Sequence, residues 1–319
     1  MLMETPGPSD QTRHYPALVL GGGGAYGVVQ AAYIHAAREA GFEPAMVVGT
    51  SVGALNGAWV ALHPEDTDEL LRIWLGLDRL RILRLNPIRL ARKIARGPLG
   101  ICDNDIVPRL IADHLGGQCF ADAQLPLAVV ATSLSRSRKH VFTGGSLEAA
   151  ILASTAIPGV YDPIEIDGEL FVDGCLTASV DLLTALDMGA TEILAIDLSP
   201  SPPVFRARTA VGVLRQSLGI LTHATTDAME EALTSRLPVA VLRPDLTRHS
   251  PWRLDDSAGA IAHNLELARR ALARVLDADG HVVPSPVPPE EPAPPDAEPS
   301  PPLPVDFREL LRGEARKAG

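Results

Sequence analysis

The sequence predicts an α/β fold, a three-layer sandwich with a mainly parallel central sheet. Short apolar runs that look like strands alternate along the chain with helical stretches, and this alternation is typical of βαβ units. The strand-like runs are Ala17–Leu20, Met46–Val48, Leu127–Ala131 and Ile193–Ile196. They are apolar throughout rather than alternating, which indicates a sheet that helices cover on both faces.

Two long uncharged runs, residues 15–37 and 44–64, have to be distinguished from membrane spans. Each consists of a short β-rich stretch, a glycine turn and an Ala-rich stretch, and five glycines interrupt the first run. No basic region precedes that run, as one would precede the apolar segment of a signal peptide. Both runs therefore fit strand–turn–helix units of the sheet, and we expect a soluble, cytoplasmic protein.

Composition limits the possible functions. The formal net charge of −11 argues against nucleic-acid binding, which needs a basic surface to neutralise phosphates. The three cysteines (Cys102, Cys119 and Cys175) have neither CxxC nor Cys/His spacing, so we expect free thiols in a reducing compartment and no metal site. Arg carries almost all the positive charge, which is typical of a GC-rich bacterial genome.

The first strand runs into a glycine turn, Gly21 to Gly24, and a helix that begins near Gly27. Consecutive glycines let the backbone approach a ligand closely and turn its N–H groups towards that ligand. The helix N-terminus adds partial positive charge, so the loop suits an anion or an oxyanion. Gly22, Gly24 and Gly27 also match the GxGxxG pattern of dinucleotide-binding proteins, and a tight turn without a ligand is a third interpretation.

The second strand helps to distinguish these interpretations. In a dinucleotide-binding fold it would end in an acidic residue that holds the ribose. Here it ends in Gly49-Thr50-Ser51-Val52-Gly53, followed by the predicted helix Ala54–Leu62. GxSxG between a strand and a helix is the nucleophile elbow, in which a strained turn exposes the serine hydroxyl. The sequence therefore indicates Ser51 as a nucleophile.

A candidate base follows a third strand-like run. Asp173-Gly174 comes directly after residues 169–172, where that run breaks into a turn. An Asp-Gly pair is by itself most often a plain β-turn. Upstream of it, the segment Ala153–Ile164 reads ASTAIPGVYDPI. It is a fourth motif, besides the glycine loop, GxSxG and the Asp-Gly pair.

Together these motifs resemble the patatin-like phospholipase family. The matching parts occur in the family's order and cover roughly Tyr15 to Leu198. The resemblance implies a serine acyl-ester hydrolase of the phospholipase A or lysophospholipase type, with a Ser51–Asp173 dyad and a lipid acyl-ester substrate. It also implies oxyanion-hole N–H groups from Gly22, Gly23 and Gly24, with Gly27, Gly49, Gly53 and Gly174 as supporting positions.

Two residues depart from the family pattern. Tyr26 stands where the family has Arg or Lys, which puts a preference for phospholipid head groups in doubt. Cys175 stands where a Gly or Ala is usual after the Asp-Gly pair, and it adds bulk beside the base.

The implied chemistry needs no metal and no cofactor. Serine becomes nucleophilic when a base takes its proton, and a desolvated Asp is a stronger base than a solvated one. The attack gives an oxyanion, which the glycine N–H groups stabilise, and then an acyl-enzyme that water hydrolyses to release the fatty acid.

Three alternatives to the Ser–Asp dyad are also compatible with the sequence, and the first is a hydrolase with a catalytic triad. Ser51, Asp197 and His263 keep the Ser–Asp–His order of an α/β-hydrolase triad, although GxSxG comes early for that fold, and His223 is a further histidine to test. The second possible function is dinucleotide binding, and the third is that of a catalytically silent relative that only binds lipid.

The stretch Arg79–Arg96 contains seven basic residues and no acidic one, interleaved with Leu and Ile. One interpretation is peripheral contact with an anionic membrane near the acyl entrance, and another is a solvated helical hairpin.

The predicted domain organisation has three parts. Residues 1–14 form a flexible arm, residues 15–282 form the hydrolase domain, and Leu265–Leu276 is its last amphipathic helix. Eleven of the 28 prolines lie between Pro284 and Pro304, so residues 283–319 are predicted to be a disordered, Pro-rich tail.

Overall fold

The structure of the protein is a computed structural model. It describes residues 14–77, 80–81, 102, 104–199 and 210–283, of which 80–81, 210–216 and 218 are described by their backbone alone. Internal contacts group the chain into two units, Met1–Ser285 and Pro286–Gly319. All the described residues belong to the first unit.

These residues form ten strands and eight α-helices. The strands are β1 (Pro16–Leu20), β2 (Met46–Thr50), β3 (Leu80–Arg81), β4 (Leu127–Ser133), β5 (Arg138–Phe142), β6 (Ile164–Ile166), β7 (Glu169–Asp173), β8 (Glu192–Ile196), β9 (Val239–Leu242) and β10 (Arg253–Leu254). The helices are α1 (Gly27–Glu39), α2 (Val52–Leu62), α3 (Thr67–Gly76), α4 (Ile106–His114), α5 (Leu147–Ser154), α6 (Leu182–Asp187), α7 (Ala210–Thr234) and α8 (Ser257–Val275).

Eight strands form the central sheet in the order β6-β7-β4-β2-β1-β8-β9, with β5 paired to β4. β4, β2, β1, β8 and β9 run parallel to one another, whereas β5 and β7 run antiparallel to β4 and β6 runs antiparallel to β7. Strand side chains point to opposite faces in turn, so Leu18 and Leu20 pack into one hydrophobic core and Ala17 and Val19 into the other. The predicted three-layer α/β fold is confirmed.

The pairing along β4 brings two strand ends together. β2 runs parallel to β4 and ends at Thr50, which is opposite Val130. β7 runs antiparallel and ends at Asp173, opposite Ala131, the next residue along β4. β5 pairs with residues 129–133 of β4. The register of β4 therefore places the carboxyl ends of β2 and β7 close to each other.

The predicted elements differ from the structure in two places. In sequence, residues Ser137–His140 look like a hairpin turn, but the turn occupies residues 134–137 and β5 already begins at Arg138. β5 pairs only with β4, so its polar residues lie on an edge strand and resemble a turn in sequence. The last helix, α8, begins at Ser257 rather than Leu265.

Several predictions fall largely outside the described residues. Of the stretch Arg79–Arg96, only the backbone of β3 is described, paired with β10. Of residues 1–14 the structure describes His14, and of the predicted tail it describes Val283. Within the described parts of the chain, no helix combines the length and the apolar character that crossing a bilayer requires.

Candidate active site

Ser51 lies at the sharp turn between β2 and α2. Its backbone adopts φ 55° and ψ −123°, a conformation that costs a non-glycine residue free energy and is found mainly at functional sites. A Cβ at Gly49 would lie 2.7 Å from Ala54 Cα, and one at Gly53 would lie 2.6 Å from the Leu20 carbonyl carbon. Only glycine therefore fits at these two positions, which let the chain turn around the serine.

Asp173, the last residue of β7, accepts a hydrogen bond from Ser51. The distance from Ser51 Oγ to Asp173 Oδ2 is 2.6 Å. The second carboxylate oxygen, Oδ1, accepts the N–H of Cys175 at 2.8 Å, which fixes the orientation of the carboxylate. The exposed fraction is 5% for Ser51 and 3% for Asp173, so the pair is almost fully removed from bulk water.

Burial changes the basicity of Asp173. Desolvation raises the pKa of its carboxyl above the usual value, and the hydrogen bonds from Ser51 and Cys175 offset part of that increase. Among the described residues no Lys, Arg or His forms an ion pair with this carboxylate. A carboxylate with a raised pKa beside a serine hydroxyl has the chemistry of a general base.

Ser154, the last residue of α5, forms hydrogen bonds that fix the turn at Ser51. Its hydroxyl accepts the Ser51 N–H at 2.8 Å and donates to the Val130 carbonyl at 2.6 Å. Two residues later, the Ala156 carbonyl accepts the N–H of Asp173 at 2.9 Å. The segment that begins at Ala153 therefore contacts the backbone of both Ser51 and Asp173. The motif in this segment predicts no role for Ser154, which only the structure reveals.

The glycine loop lies against the serine. A Cβ at Gly22 would lie 3.0 Å from Ser51 Cβ and would overlap the sulfur of Cys175. The Gly22 N–H donates to the Ser179 carbonyl at 3.3 Å, whereas no described residue accepts the N–H groups of Gly23 and Gly24. Of the three predicted oxyanion donors, Gly22 is therefore engaged in this conformation, and the other two have no acceptor among the described residues.

A buried polar network connects this loop to three helices, α1, α2 and α3. Gln30 of α1 donates to the Gly21 carbonyl at 3.0 Å. Asn56 of α2 donates to Gln30 at 3.0 Å and to the Gly27 carbonyl at 3.1 Å, and Trp74 donates to Asn56 at 2.9 Å. Gln30 and Asn56 are almost fully buried, so each of these hydrogen bonds would be costly to lose.

The remaining glycines allow close packing. A Cβ at Gly27 would overlap Val52 and Trp74, and one at Gly174 would lie 2.8 Å from the Val130 carbonyl carbon. Gly27 thus lets α1 approach α2, and Gly174 lets the turn after Asp173 approach β4.

The two departures from the family pattern have different surroundings. Burial, and then the neighbouring charge of Asp173, raise the pKa of the Cys175 thiol well above its usual value. Cys175 is therefore a neutral thiol rather than a competing nucleophile. Tyr26 is 5% exposed and packs in the hydrophobic core.

The residues of the alternative triad lie in other contacts. Asp197 accepts the N–H of Ser199 at 2.8 Å, and its second oxygen lies 3.6 Å from Arg243 Nε. Within the described parts of the chain, no histidine, His223 and His263 included, forms a hydrogen bond with Ser51 or Asp173. β2 ends in Thr50, which donates to the Ala178 carbonyl at 3.1 Å, so no carboxylate stands at the ribose position.

Comparison with known proteins places these residues in a family. The model of the patatin-like phospholipase family matches residues 18–186. An uncharacterized NTE family protein of Mycobacterium tuberculosis is 33% identical over 186 residues, which cover 58% of this chain and 49% of that protein. The mouse patatin-like phospholipase domain-containing protein 7 is 29% identical over 57% of this chain and 13% of its own length.

A lysophospholipase of Aspergillus terreus is also 29% identical, over 57% of this chain and 12% of its own length. The chain thus spans about half the length of the mycobacterial relative and a much smaller part of the mouse and fungal proteins. The family model covers more than half of the chain, including Ser51, Asp173 and the glycine loop. The chain belongs to the patatin-like phospholipase family.

Proposed function

We propose that this protein is a serine acyl-ester hydrolase that acts on lipid esters through a Ser51–Asp173 dyad. One observation carries the proposal: Ser51 Oγ, held in a strained turn, lies 2.6 Å from Asp173 Oδ2. The distance allows direct proton transfer, and the carboxylate has no competing cation among the described residues. A histidine is not needed to connect the two groups.

In the proposed reaction, Asp173 Oδ2 takes the hydroxyl proton while Ser51 Oγ attacks the ester carbonyl carbon. The carbonyl oxygen becomes an oxyanion and is stabilised by the N–H groups of Gly23 and Gly24. The N–H of Gly22 joins them if its hydrogen bond to Ser179 opens. The intermediate collapses, the ester C–O bond breaks, and Asp173 returns its proton to the leaving alcohol.

Water completes the cycle. Asp173 accepts a proton from a water molecule that attacks the acyl-enzyme carbonyl, and a second oxyanion forms in the same place. Its collapse releases the fatty acid, and the proton returns to Ser51 Oγ. Each step uses the same base and the same donors, so no further group is required.

The proposed substrates are phospholipids or lysophospholipids. Membership of a phospholipase family supports this class, and one relative is named a lysophospholipase. Contact with an anionic membrane through Arg79–Arg96 remains part of the proposal. Weaker vesicle binding after charge reversal at Arg89, Arg92 and Arg96 would support it, and unchanged binding at low salt would contradict it.

Hydrolysis of a panel of ester substrates tests the proposed function. The full chain and Ser51→Ala are compared on short-chain esters, lysophospholipid and phospholipid, with circular dichroism to verify folding. We expect hydrolysis by the wild type and its loss in Ser51→Ala. A wild type that binds lipid but hydrolyses none of these esters would favour the silent relative, and binding of a nicotinamide cofactor would favour a dinucleotide-binding protein.

A further inference from the structure

A second cluster of ionisable side chains lies at the end of the sheet opposite Ser51. It consists of His14, Glu192 and His281. His14 precedes β1, Glu192 is the first residue of β8, and His281 follows α8. β1 and β8 run parallel with Pro16 opposite Glu192, whereas the glycine loop follows the last residue of β1. The cluster therefore plays no part in the proposed hydrolysis.

The three side chains converge on one carboxylate oxygen. His14 Nε2 lies 3.2 Å from Glu192 Oε1, and His281 Nδ1 lies 3.7 Å from the same atom. One potential ligand atom from each residue lies within 4.8 Å of the others, and the two imidazole rings meet edge to face at 4.3 Å.

Glu192 is the unusual member of the cluster because its side chain is only 4% exposed. Oε2 accepts the N–H of Val282 at 3.1 Å. Oε1 is buried and has no hydrogen-bond donor among the described residues, although His14 Nε2 lies 3.2 Å from it. Burying a carboxylate oxygen is costly unless a cation or a hydrogen bond compensates it, and a bound cation would compensate Oε1.

Backbone contacts hold the residues in place. Tyr15 and Thr191 exchange two hydrogen bonds: Tyr15 N–H donates to Thr191 Oγ1 at 2.9 Å, and Thr191 N–H donates to the Tyr15 carbonyl at 3.0 Å. These bonds fix His14 beside Glu192. In the turn after α8, the His281 N–H donates to Asp277 Oδ1 at 2.9 Å, and the Asp277 N–H donates to the His281 carbonyl at 2.9 Å.

We propose that His14, Glu192 and His281 form a binding site for a divalent transition-metal ion of the Zn²⁺ type. Two imidazole nitrogens and one carboxylate oxygen are a usual donor set for zinc, whereas Mg²⁺ and Ca²⁺ prefer oxygen ligands alone. Tetrahedral zinc at about 2.1 Å from each ligand separates the ligand atoms by about 3.4 Å. The distances of 3.2 and 3.7 Å to Oε1 lie on either side of that value.

The metal would act as a structural clamp. The positive charge of the ion would compensate Oε1 of Glu192. Through His14 and His281, the ion would connect the segment before β1 and the turn after α8 to the first residue of β8. His14 and His281 are about half exposed, at 45% and 48%, so an ion can reach the site from solvent and water can supply the fourth ligand. Binding to the folded state alone would stabilise the domain.

Zinc uptake by the chain of residues 1–319 tests this proposal. The chain is stripped with EDTA and dialysed, and then titrated with Zn²⁺ by calorimetry and by thermal unfolding. The variants are His281→Ala and Glu192→Gln. The matched control is His35→Ala, because His35 also lies near two carboxylates, Glu39 at 3.5 Å and Asp68 at 3.9 Å.

We expect the wild type and His35→Ala to bind one equivalent more Zn²⁺ than His281→Ala and Glu192→Gln. At a free Zn²⁺ concentration of about 100 Kd, the Tm of the wild type and of His35→Ala should increase by roughly 5 °C. Equal Zn²⁺ uptake and an equal Tm increase in wild type and His281→Ala would overturn the site. Absence of Zn²⁺ binding by the wild type would overturn it too. His281 is half exposed, so that variant stays informative if Glu192→Gln does not fold.

Discussion

Asp173 and Asp181 lie eight positions apart in the chain, and both are buried, with exposed fractions of 3% and 0%. Asp181 caps α6 and pairs with Lys139, whose Nζ lies 2.7 Å from Oδ2. It also accepts the hydroxyl of Thr184 at 2.6 Å. The Asp173 carboxylate, by contrast, accepts hydrogen bonds from the hydroxyl of Ser51 and from the N–H of Cys175.

The difference lies in what compensates the charge. Lys139 of β5 forms an ion pair with Asp181, so this carboxylate serves to hold α6 and β5 together. Asp173 has no such cation among the described residues, and desolvation raises its pKa. In the proposed mechanism, a buried aspartate acts as a base where it has no cation as its partner and lies beside a hydroxyl.

Replacing the base should have the largest effect. Asp173→Asn keeps the shape and the hydrogen bond to Cys175 but cannot accept the serine proton. We expect kcat/KM for an ester to fall by about 10³-fold or more, nearly as far as in Ser51→Ala, because residues that act as a unit are not additive. Steady-state kinetics on a soluble short-chain ester measure this.

Controls for that variant come from the alternative triad. Asp197→Asn, His223→Ala and His263→Ala should each retain most of the turnover of the folded protein. If one of these histidines proved essential while Asp173→Asn stayed active, the dyad would be wrong.

An intermediate effect is expected at Ser154, which positions the serine turn. Ser154→Ala leaves the buried Ser51 N–H without its acceptor, so kcat should fall by about 10- to 100-fold with little change in KM. Ser146→Ala is the matched control, because it removes the N-cap at the other end of α5 and should cost about 1 kcal/mol of stability but little activity. Equal losses of activity in the two variants would show that Ser154 acts only by stabilising the helix.

Replacing Asp181 should decrease the stability of the protein and leave its catalysis unchanged. Asp181→Asn leaves Lys139 unpaired, but that lysine is 31% exposed and can turn towards water. We expect the free energy of unfolding to decrease by about 2–3 kcal/mol, with kcat per folded molecule unchanged. Urea unfolding and active-site titration measure the two quantities, and a large loss of kcat would remove the distinction between the two aspartates.

The smallest effect is expected from the Pro-rich tail. Both aspartates and all their partners precede residue 283, so ending the chain after Val283 should change Tm by less than about 2 °C and leave turnover unchanged. Thermal unfolding and ester kinetics of the truncated chain check this prediction. A larger loss would mean that residues 284–319 contribute to the domain.

Local sequence patterns predict the strands and turns of the site, but they do not predict which residues meet in space. Apolar runs and glycine turns predict the strands around Ser51, because strand period and turn chemistry are local properties. The meeting of Ser51 and Asp173 depends instead on the register of β4, where Thr50 pairs with Val130 and Asp173 with Ala131. That register links residues 122 positions apart, and no local pattern specifies it.

Buried polar residues were the least predictable part. Gln30 and Asn56 stand alone in apolar helical runs, which is the signal that could have identified them. They pair with each other, with two backbone carbonyls and with an indole, which lie on separate segments, so their pairing appears only in the structure. Glu192 is similar, because its neighbours His14 and His281 come from near the two ends of the described chain.

The dyad is tested most directly by the pH dependence of Ser51 labelling by a fluorophosphonate probe, with the labelled residue located by mass spectrometry. The pKa of Asp173 is raised, and only its ionised form can accept the serine proton. The labelling rate of the wild type should therefore be constant at high pH and fall as the pH decreases through that raised pKa, about tenfold per unit below it. Asp173→Asn should label far more slowly and without this titration. Labelling of another residue, or an unchanged rate and pH profile in Asp173→Asn, would contradict the Ser51–Asp173 dyad.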